Sequence, residues 1–282
     1  MTIFMDHGQI IRRKKYNINK TGECQFLTFP QWENYKGLKH LFTTRHGGVS
    51  EGCCGSWNFG ARSLDSIENI QRNFELLADV LETDLDHMVT TAQTHTANIR
   101  IVSEIDGGCS ILPNPIFQDI DGLLTNKRNL AIITGHADCN AVFFFDPVKQ
   151  VIGLAHSGWK GTLGGISENM VSLMGENYGC DPADIQVGIG PSLCQHCFEV
   201  DQDVAEQFFA KNTDYHQFAY QKGIKTYINL KAIIKHDLQD AGLHSKHIYD
   251  MELCTKENTD LFFSHRGQQG KRGIMAAVMM LV

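Results

Sequence analysis

Three stretches of this 282-residue chain end an apolar run and then present a side chain able to bind a metal. "TTAQTHTANI" carries His95, "ITGHADCNAVFFFD" carries Cys139 and "GLAHSGWKG" carries His156. A thiolate and two imidazoles are donors that zinc favours, and three protein ligands leave the fourth tetrahedral position open for water or substrate. The separations, 44 and then 17 residues, are not those of a local zinc signature, so each residue keeps a plainer reading as well. A histidine can simply be hydrogen-bonded, and Cys139 beside "NAVFFF" can be a buried, inert thiol. His136, three residues before Cys139, competes as a ligand. So does the pair Cys194 and Cys197 in "SLCQHCFEV", because C-x-x-C is a redox motif or half a zinc site. A second such pair is missing, and the element order of a thioredoxin-like motif is not seen around this one.

Carboxylates and cations near these stretches extend the chemistry. Asp121 in "QDIDGLLTN" and Asp138 beside Cys139 could orient a ligand or carry a proton, although Asp121 before Gly122 also reads as a turn residue. Arg45 closes a strand before "HGGVSEG", where glycines let a loop wrap a ligand and a guanidinium can grip phosphate or carboxylate. Lys160 stands just before a helix expected from Thr162, whose free N–H groups favour an anion. For both cations the competing reading is a solvated surface charge.

The elements that must hold these residues are mostly strands. Apolar runs recur at 38–45, 98–104, 129–136, 141–146, 151–157, 185–193 and 274–282. Several are continuous rather than alternating, which implies burial on both faces. Helical periodicity marks Ile67 to Leu81 behind a capping box of Asp65 and Glu68, Leu163 to Met174, Asp201 to Ala210 and Leu230 to Ala241. Strands outnumber helices and come partly in neighbouring pairs, such as 129–136 with 141–146. That order indicates an α+β or mixed layered fold rather than a regular βαβ array. No repeat or linker divides the chain, and no domain boundary is evident.

Composition excludes several classes. A net charge of -7 and 42% apolar residues suit a soluble globular protein, with no basic stretch beyond "RRKK" at Arg12 to Lys15. Nucleic acid and anionic membranes are therefore not expected partners. The first twenty residues lack a secretory h-region, and the longest apolar run, Ile274 to Val282, is far short of the roughly 20 residues of a membrane helix. A cytoplasmic protein is expected. Nine cysteines, two of them adjacent at Cys53 and Cys54, argue for reduced thiols over a disulfide framework. There is no Walker A motif, no G-x-G-x-x-G after a strand, and no H-x-E with P-C-x-x-C.

Taken in order, "TTRHGGVSEG", "SWNFG", "QTHT", "DGLLT", "ADCNAVFFFD", "AHSGWKGTLGGI", "GIGPSLCQHCFEV" and "FFSHRGQQGKRGIMAAVMML" resemble the motifs of the YfiH family, also called the laccase-domain or multicopper polyphenol oxidase family. The resemblance spans about residues 38 to 282 and leaves 1–37 as a poorly matched N-terminal extension of a single 1–282 domain. It implies a layered α/β/β/α fold and a zinc held by His95, Cys139 and His156. It also implies phosphorolysis of adenosine, inosine, guanosine and methylthioadenosine, with adenosine deaminase activity. Arg45, Asn58, Gln93 and Asp138 match family positions around the cleft. Other functions put forward for the family are copper-dependent phenol oxidation and peptidoglycan-precursor editing; a purine binder without turnover is a further alternative. None of the 13 histidines forms the H-x-H pairs of a multicopper centre. The chain departs from the family at Lys160, Gly267 and Ile274, where arginine is usual.

Overall fold

Strands such as Asn140–Asp146 and Val151–Ser157 have no polar face to offer water, and every residue in both is buried. In the computed structural model, which describes residues 4–6, 9–11, 15–60, 63–108 and 117–282, they lie in one of two stacked six-stranded sheets. That sheet runs in the order Ile248–Asp250, Gln186–Ile189, Asn140–Asp146, Val151–Ser157, Gly122–Thr125, Ile99–Ile101. The other runs Asn17–Thr21, Cys24–Thr28, Leu38–Thr43, Met275–Leu281, Ala131–His136, Met88–Val89. Both are antiparallel at their centres and gain parallel neighbours towards their edges.

The two-residue period of a strand explains the layering. Phe143, Phe145, Ile152 and Leu154 point from one sheet into a shared core with Phe42, Ile132, Ala277 and Met279 of the other. Their neighbours Val142, Phe144, Val151 and Ala155 point the opposite way, onto the helices Ile166–Tyr178 and Leu230–Asp240. On the far side, Ala131, Ile133, Ala276 and Val278 pack under the helix Ile67–Leu81. The result is the expected α/β/β/α stack. Each fully buried large apolar side chain contributes roughly 1.5–3 kcal/mol, and the continuous apolar runs supply such side chains to three layers at once. A smaller three-stranded sheet, Glu199–Val200, Lys225–Ile228 and Ala219–Lys222, packs with the helix Gln202–Lys211 around Phe198, Phe208 and Tyr215.

Four local expectations change. The strands expected at 129–136 and 141–146 are neighbours in sequence but sit in different sheets, so residues 137–139 cross from one layer to the other. The helix Ile67–Leu81 is capped by Ser66, whose side chain accepts from the Asn69 N–H, while Asp65 binds the Ser66 N–H and the Asn58 and Asn69 amides. The helix expected from Thr162 is two helices: a short Trp159–Leu163 and then Ile166–Tyr178 after Gly165 at φ 76. Finally, much of the poorly matched extension is integral. Its hairpin Asn17–Thr28 adds two strands to a sheet, and Phe29 and Trp32 are fully buried between the sheets.

Candidate metal centre and its cavity

The layer crossing is what builds the site. Cys139 ends the crossing, and the adjacent antiparallel strand places His156 opposite Ala141. His95 arrives from a loop on the neighbouring edge, with its backbone at φ 67. That left-handed conformation is uncommon for a side-chain-bearing residue, although histidine is among those enriched in it. Asp121 holds it there. Its buried carboxylate accepts the backbone N–H groups of Thr94, His95 and Thr96 at 3.2, 3.1 and 2.7 Å, and the Thr96 hydroxyl at 2.8 Å. The same carboxylate accepts His156 Nδ1 at 2.7 Å. Asp121 thus orients two of the three candidate ligands and leaves His156 Nε2 as the ring nitrogen available to a ligand.

The donor atoms of His95, Cys139 and His156 lie within 4.8 Å of one another, with Cys139 Sγ 4.0 Å from His95 Nδ1. Burial pushes the Cys139 thiol up, but the adjacent His156 and hydrogen bonds from both histidines outweigh it and bring the thiol down to about 6. Burial pulls His156 down, while Cys139 and Asp121 bring it up to about 9. The arrangement therefore favours a thiolate, the form that binds metal. His136 is not part of the group. Its ring nitrogens meet Thr134 Oγ1 at 2.8 Å and the Cys139 carbonyl at 3.2 Å, and burial with the nearby His156 holds it well below the usual imidazole range.

Glycines make room for this convergence. A Cβ on Gly158 would stand 2.9 Å from His95 Nδ1 and 3.0 Å from Cys139 Sγ, and one on Gly161 would stand 3.0 Å from the Thr96 carbonyl. Gly158→Ala is therefore expected to displace two donors while leaving the sheets intact. Metal affinity should fall by about tenfold or more, as when supporting groups around a site are disturbed, with the urea midpoint shifting little. Metal titration and urea unfolding on the same preparation check this, and undisturbed metal binding would contradict it.

The three donors open onto a cavity of about 470 Å³, within the range of small-molecule sites. Phe59, Phe74 and Ile274 give it an apolar wall, and Gln93 and Arg272 give it polar groups. A larger, more open groove of about 790 Å³ lies against the helices Ile166–Tyr178 and Leu230–Asp240. It holds none of the three donors, so the smaller cavity is the candidate site.

Of the other residues singled out, Gln93 lines the cavity, although its amide is paired with the Gly135 N–H and carbonyl at 2.7 and 2.8 Å. Four do not line it. Arg45 gives Nε and Nη2 to the Gly55 carbonyl and Nη1 to that of Thr259, so its guanidinium clamps these loops. Asn58 is fully buried and binds Gly60, Asp65 and the Ile274 N–H. Lys160 is exposed within the first turn of a five-residue helix, 5.6 Å from the Trp159 ring. Asp138 accepts the Thr255 hydroxyl at 2.6 Å and the Arg266 N–H at 2.8 Å, a placement that fixes the crossing turn. The carboxylate of Asp121, the other acidic candidate, is likewise wholly engaged.

Sequence reasoning missed Arg272. Its Nε is buried without a hydrogen-bond partner among the described residues. Burial weakens its hold on the proton, while Asp138 and Cys139 act in the opposite sense. Its signal was the "KRGIMA" segment, in which Ile274 drew attention as a lost arginine while a guanidinium stood two residues earlier. Also missed were Cys254 and Glu257, which join Cys194 and Cys197 in a second group of donors within 4.8 Å. The C-x-x-E spacing of "CTKE" repeats that of C-x-x-C and was the available clue.

A stack of two sheets between helices, with His, Cys and His donors at a cavity where the layers cross, defines a laccase-domain protein with a candidate metal centre. The chain belongs to the multi-copper polyphenol oxidoreductase laccase family, whose model matches residues 39–282. The purine nucleoside phosphorylase YlmD of Bacillus subtilis is 37% identical over 245 residues, 86% of this chain and 88% of its own. The crystal structure of YlmD from Geobacillus stearothermophilus aligns with a TM-score of 0.89 at 30% identity, over 95% of this chain and 99% of that one. That of the Bacillus licheniformis hypothetical protein YfiH aligns with a TM-score of 0.88 at 32% identity, over 94% and 99%. Among the described residues, no helix is long and apolar enough to cross a membrane.

Proposed function

We propose that this protein is a zinc-dependent purine nucleoside phosphorylase of the cytoplasm, acting on adenosine, inosine, guanosine and methylthioadenosine, with adenosine deaminase as a second activity. The observation that carries this reading is the convergence of His95, Cys139 and His156 on a nucleoside-sized cavity that also holds Arg272. The names of the relatives support it. The donor set fits zinc: three ligands, one of them a favoured thiolate, with a carboxylate behind His156. Copper is the other metal that two histidines and a cysteine accept. Because the site draws on both sheets, the reading takes residues 1–282 as one functional unit.

Zinc bound there supplies a Lewis acid with an open position, able to polarise a substrate oxygen or to acidify water for deamination. The remaining chemistry falls to the chain. Phe59, Phe74 and Ile274 offer the apolar surface that a purine ring requires. Arg272 is the guanidinium placed to hold phosphate, a role that the positions of Arg45 and Lys160 leave open. In phosphorolysis a phosphate oxygen forms the bond to ribose C1′ as the bond from C1′ to the base nitrogen breaks. The electron pair leaves with the base, which takes up a proton.

Incubation with adenosine and phosphate, followed by chromatography for adenine, ribose 1-phosphate and inosine, tests the proposal alongside metal analysis. Product formation that requires both phosphate and zinc is expected. Zinc-loaded protein that makes none of these products would overturn the reading, as would turnover of phenols only with copper bound. Arg272→Ala should raise the KM for phosphate by roughly 10- to 100-fold, the loss of a charge-assisted hydrogen bond, and change the KM for adenosine far less. Equal changes in both would remove Arg272 from the phosphate site.

A further inference from the structure

We infer that Cys194, Cys197, Cys254 and Glu257 form a second, closed metal site for a thiophilic divalent cation such as zinc, with a structural role. The four donor atoms lie within 4.8 Å of one another and come from two segments. Cys194 and Cys197 flank a tight turn in which the N–H groups of Cys197 and Phe198 both bond to the Cys194 carbonyl at 3.0 Å. Cys254 and Glu257 repeat the three-residue spacing. Their segment is locked beside the first by a parallel bridge from Ser192 to Cys254, with Ser192 N–H on Leu253 and Thr255 N–H on Ser192. The backbone N–H of Cys194 points at Cys254 Sγ at 3.4 Å, as the outer contacts of a bound thiolate do.

The distances suit a cation. Tetrahedral zinc with Zn–S near 2.3 Å and Zn–O near 2.1 Å sets sulfur and oxygen about 3.6 Å apart. Glu257 Oε1 lies 3.6 Å from Cys194 Sγ and 3.7 Å from Cys197 Sγ. Three thiolates and a carboxylate complete four-fold coordination, which marks a structural site rather than a catalytic one, and thiolates select zinc over harder cations. Cys197 and Cys254 are buried while Glu257 is exposed, so the site has a dry interior and an entry side. Binding releases the thiol protons. The metal would tie together two segments that both hold the Cys139 turn, because the Thr255 hydroxyl and the Leu193 N–H each bond to Asp138.

Metal content of the full-length protein, purified under reducing conditions with stoichiometric zinc supplied, tests this independently of any activity. Two zinc ions per chain are expected, with one retained in Cys139→Ala and one in Cys197→Ser. Cobalt added to Cys139→Ala should produce an intense thiolate-to-cobalt charge-transfer band, lost in Cys139→Ala/Cys197→Ser. The Cys139→Ala measurements stand even if Cys197→Ser fails to fold. Zinc absent from Cys139→Ala would overturn the inference. So would a Cys194–Cys197 disulfide found by mass spectrometry in untreated protein that carries no second metal. Either result leaves the purine reading untouched.

Discussion

Cys139→Ala should lose one equivalent of bound metal per chain and nearly all phosphorolysis while remaining folded. Cys139 lies at the end of the layer-crossing turn and is partly exposed to the cavity, so removing its sulfur costs little packing. It is the one sulfur among the three donors, and the neighbouring His156 and His95 favour its ionised form. Removing groups that merely support metal ligands already costs about 10- to 100-fold in affinity or activity. Loss of a ligand itself should exceed the upper end of that range in kcat/KM. Metal analysis with the adenosine and phosphate assay measures both effects. Wild-type turnover with the sulfur gone would remove Cys139 from the chemistry, whatever the fold.

Asp121→Asn carries the second large effect, and it is expected to strike stability and metal binding together. One carboxylate oxygen accepts the His95 N–H and His156 Nδ1; the other accepts the Thr94 and Thr96 N–H groups and the Thr96 hydroxyl. Whichever way an asparagine amide is turned, its NH2 faces at least two donors. A buried donor left unpaired costs about 1–3 kcal/mol, so a loss of roughly 3–5 kcal/mol is expected, a large part of the ~5–15 kcal/mol that keeps a domain folded. The loop carrying His95 would no longer be held in its left-handed conformation, and His156 would lose the acceptor that sets its tautomer. Metal affinity should fall by about 10- to 100-fold. Urea unfolding and a competitive metal titration check the two parts. A variant as stable as the parent would show that the five hydrogen bonds are not maintained in solution.

Much of this was legible in the residues. Runs without a polar face imply strands covered on both sides, and "NAVFFFD" and "VIGLAHS" are such strands. The ordered motifs pointed to His95, Cys139 and His156, which the fold brings within 4.8 Å. What was not legible has a common cause. Arg45, Asn58 and Asp138 are polar residues near the right segments, and a linear reading cannot see that backbone carbonyls, N–H groups and a threonine hydroxyl already engage them. The "CTKE" segment carries no thiol pair, only a C-x-x-E spacing that echoes C-x-x-C, and its nearness to Cys194 and Cys197, some 60 residues away along the chain, exists only in the fold.

The sequence by itself determined the strand-rich layered class, because burial periodicity is a property of residue type and order, and its ordered motifs, through their resemblance to a family, singled out His95, Cys139 and His156 among several possible donors. It also marked the turn at "HSGWKG" by its glycines, while the crowding of two of those donors by a Cβ on Gly158 belongs to the fold. Only the tertiary structure decided that residues 137–139 pass between two sheets, that the Asp121 carboxylate meets the His95 loop and His156, and that Arg272 lines the cavity. These outcomes depend on which hydrogen-bonding groups meet across the packed layers, and that pairing exists only once both sheets are in place.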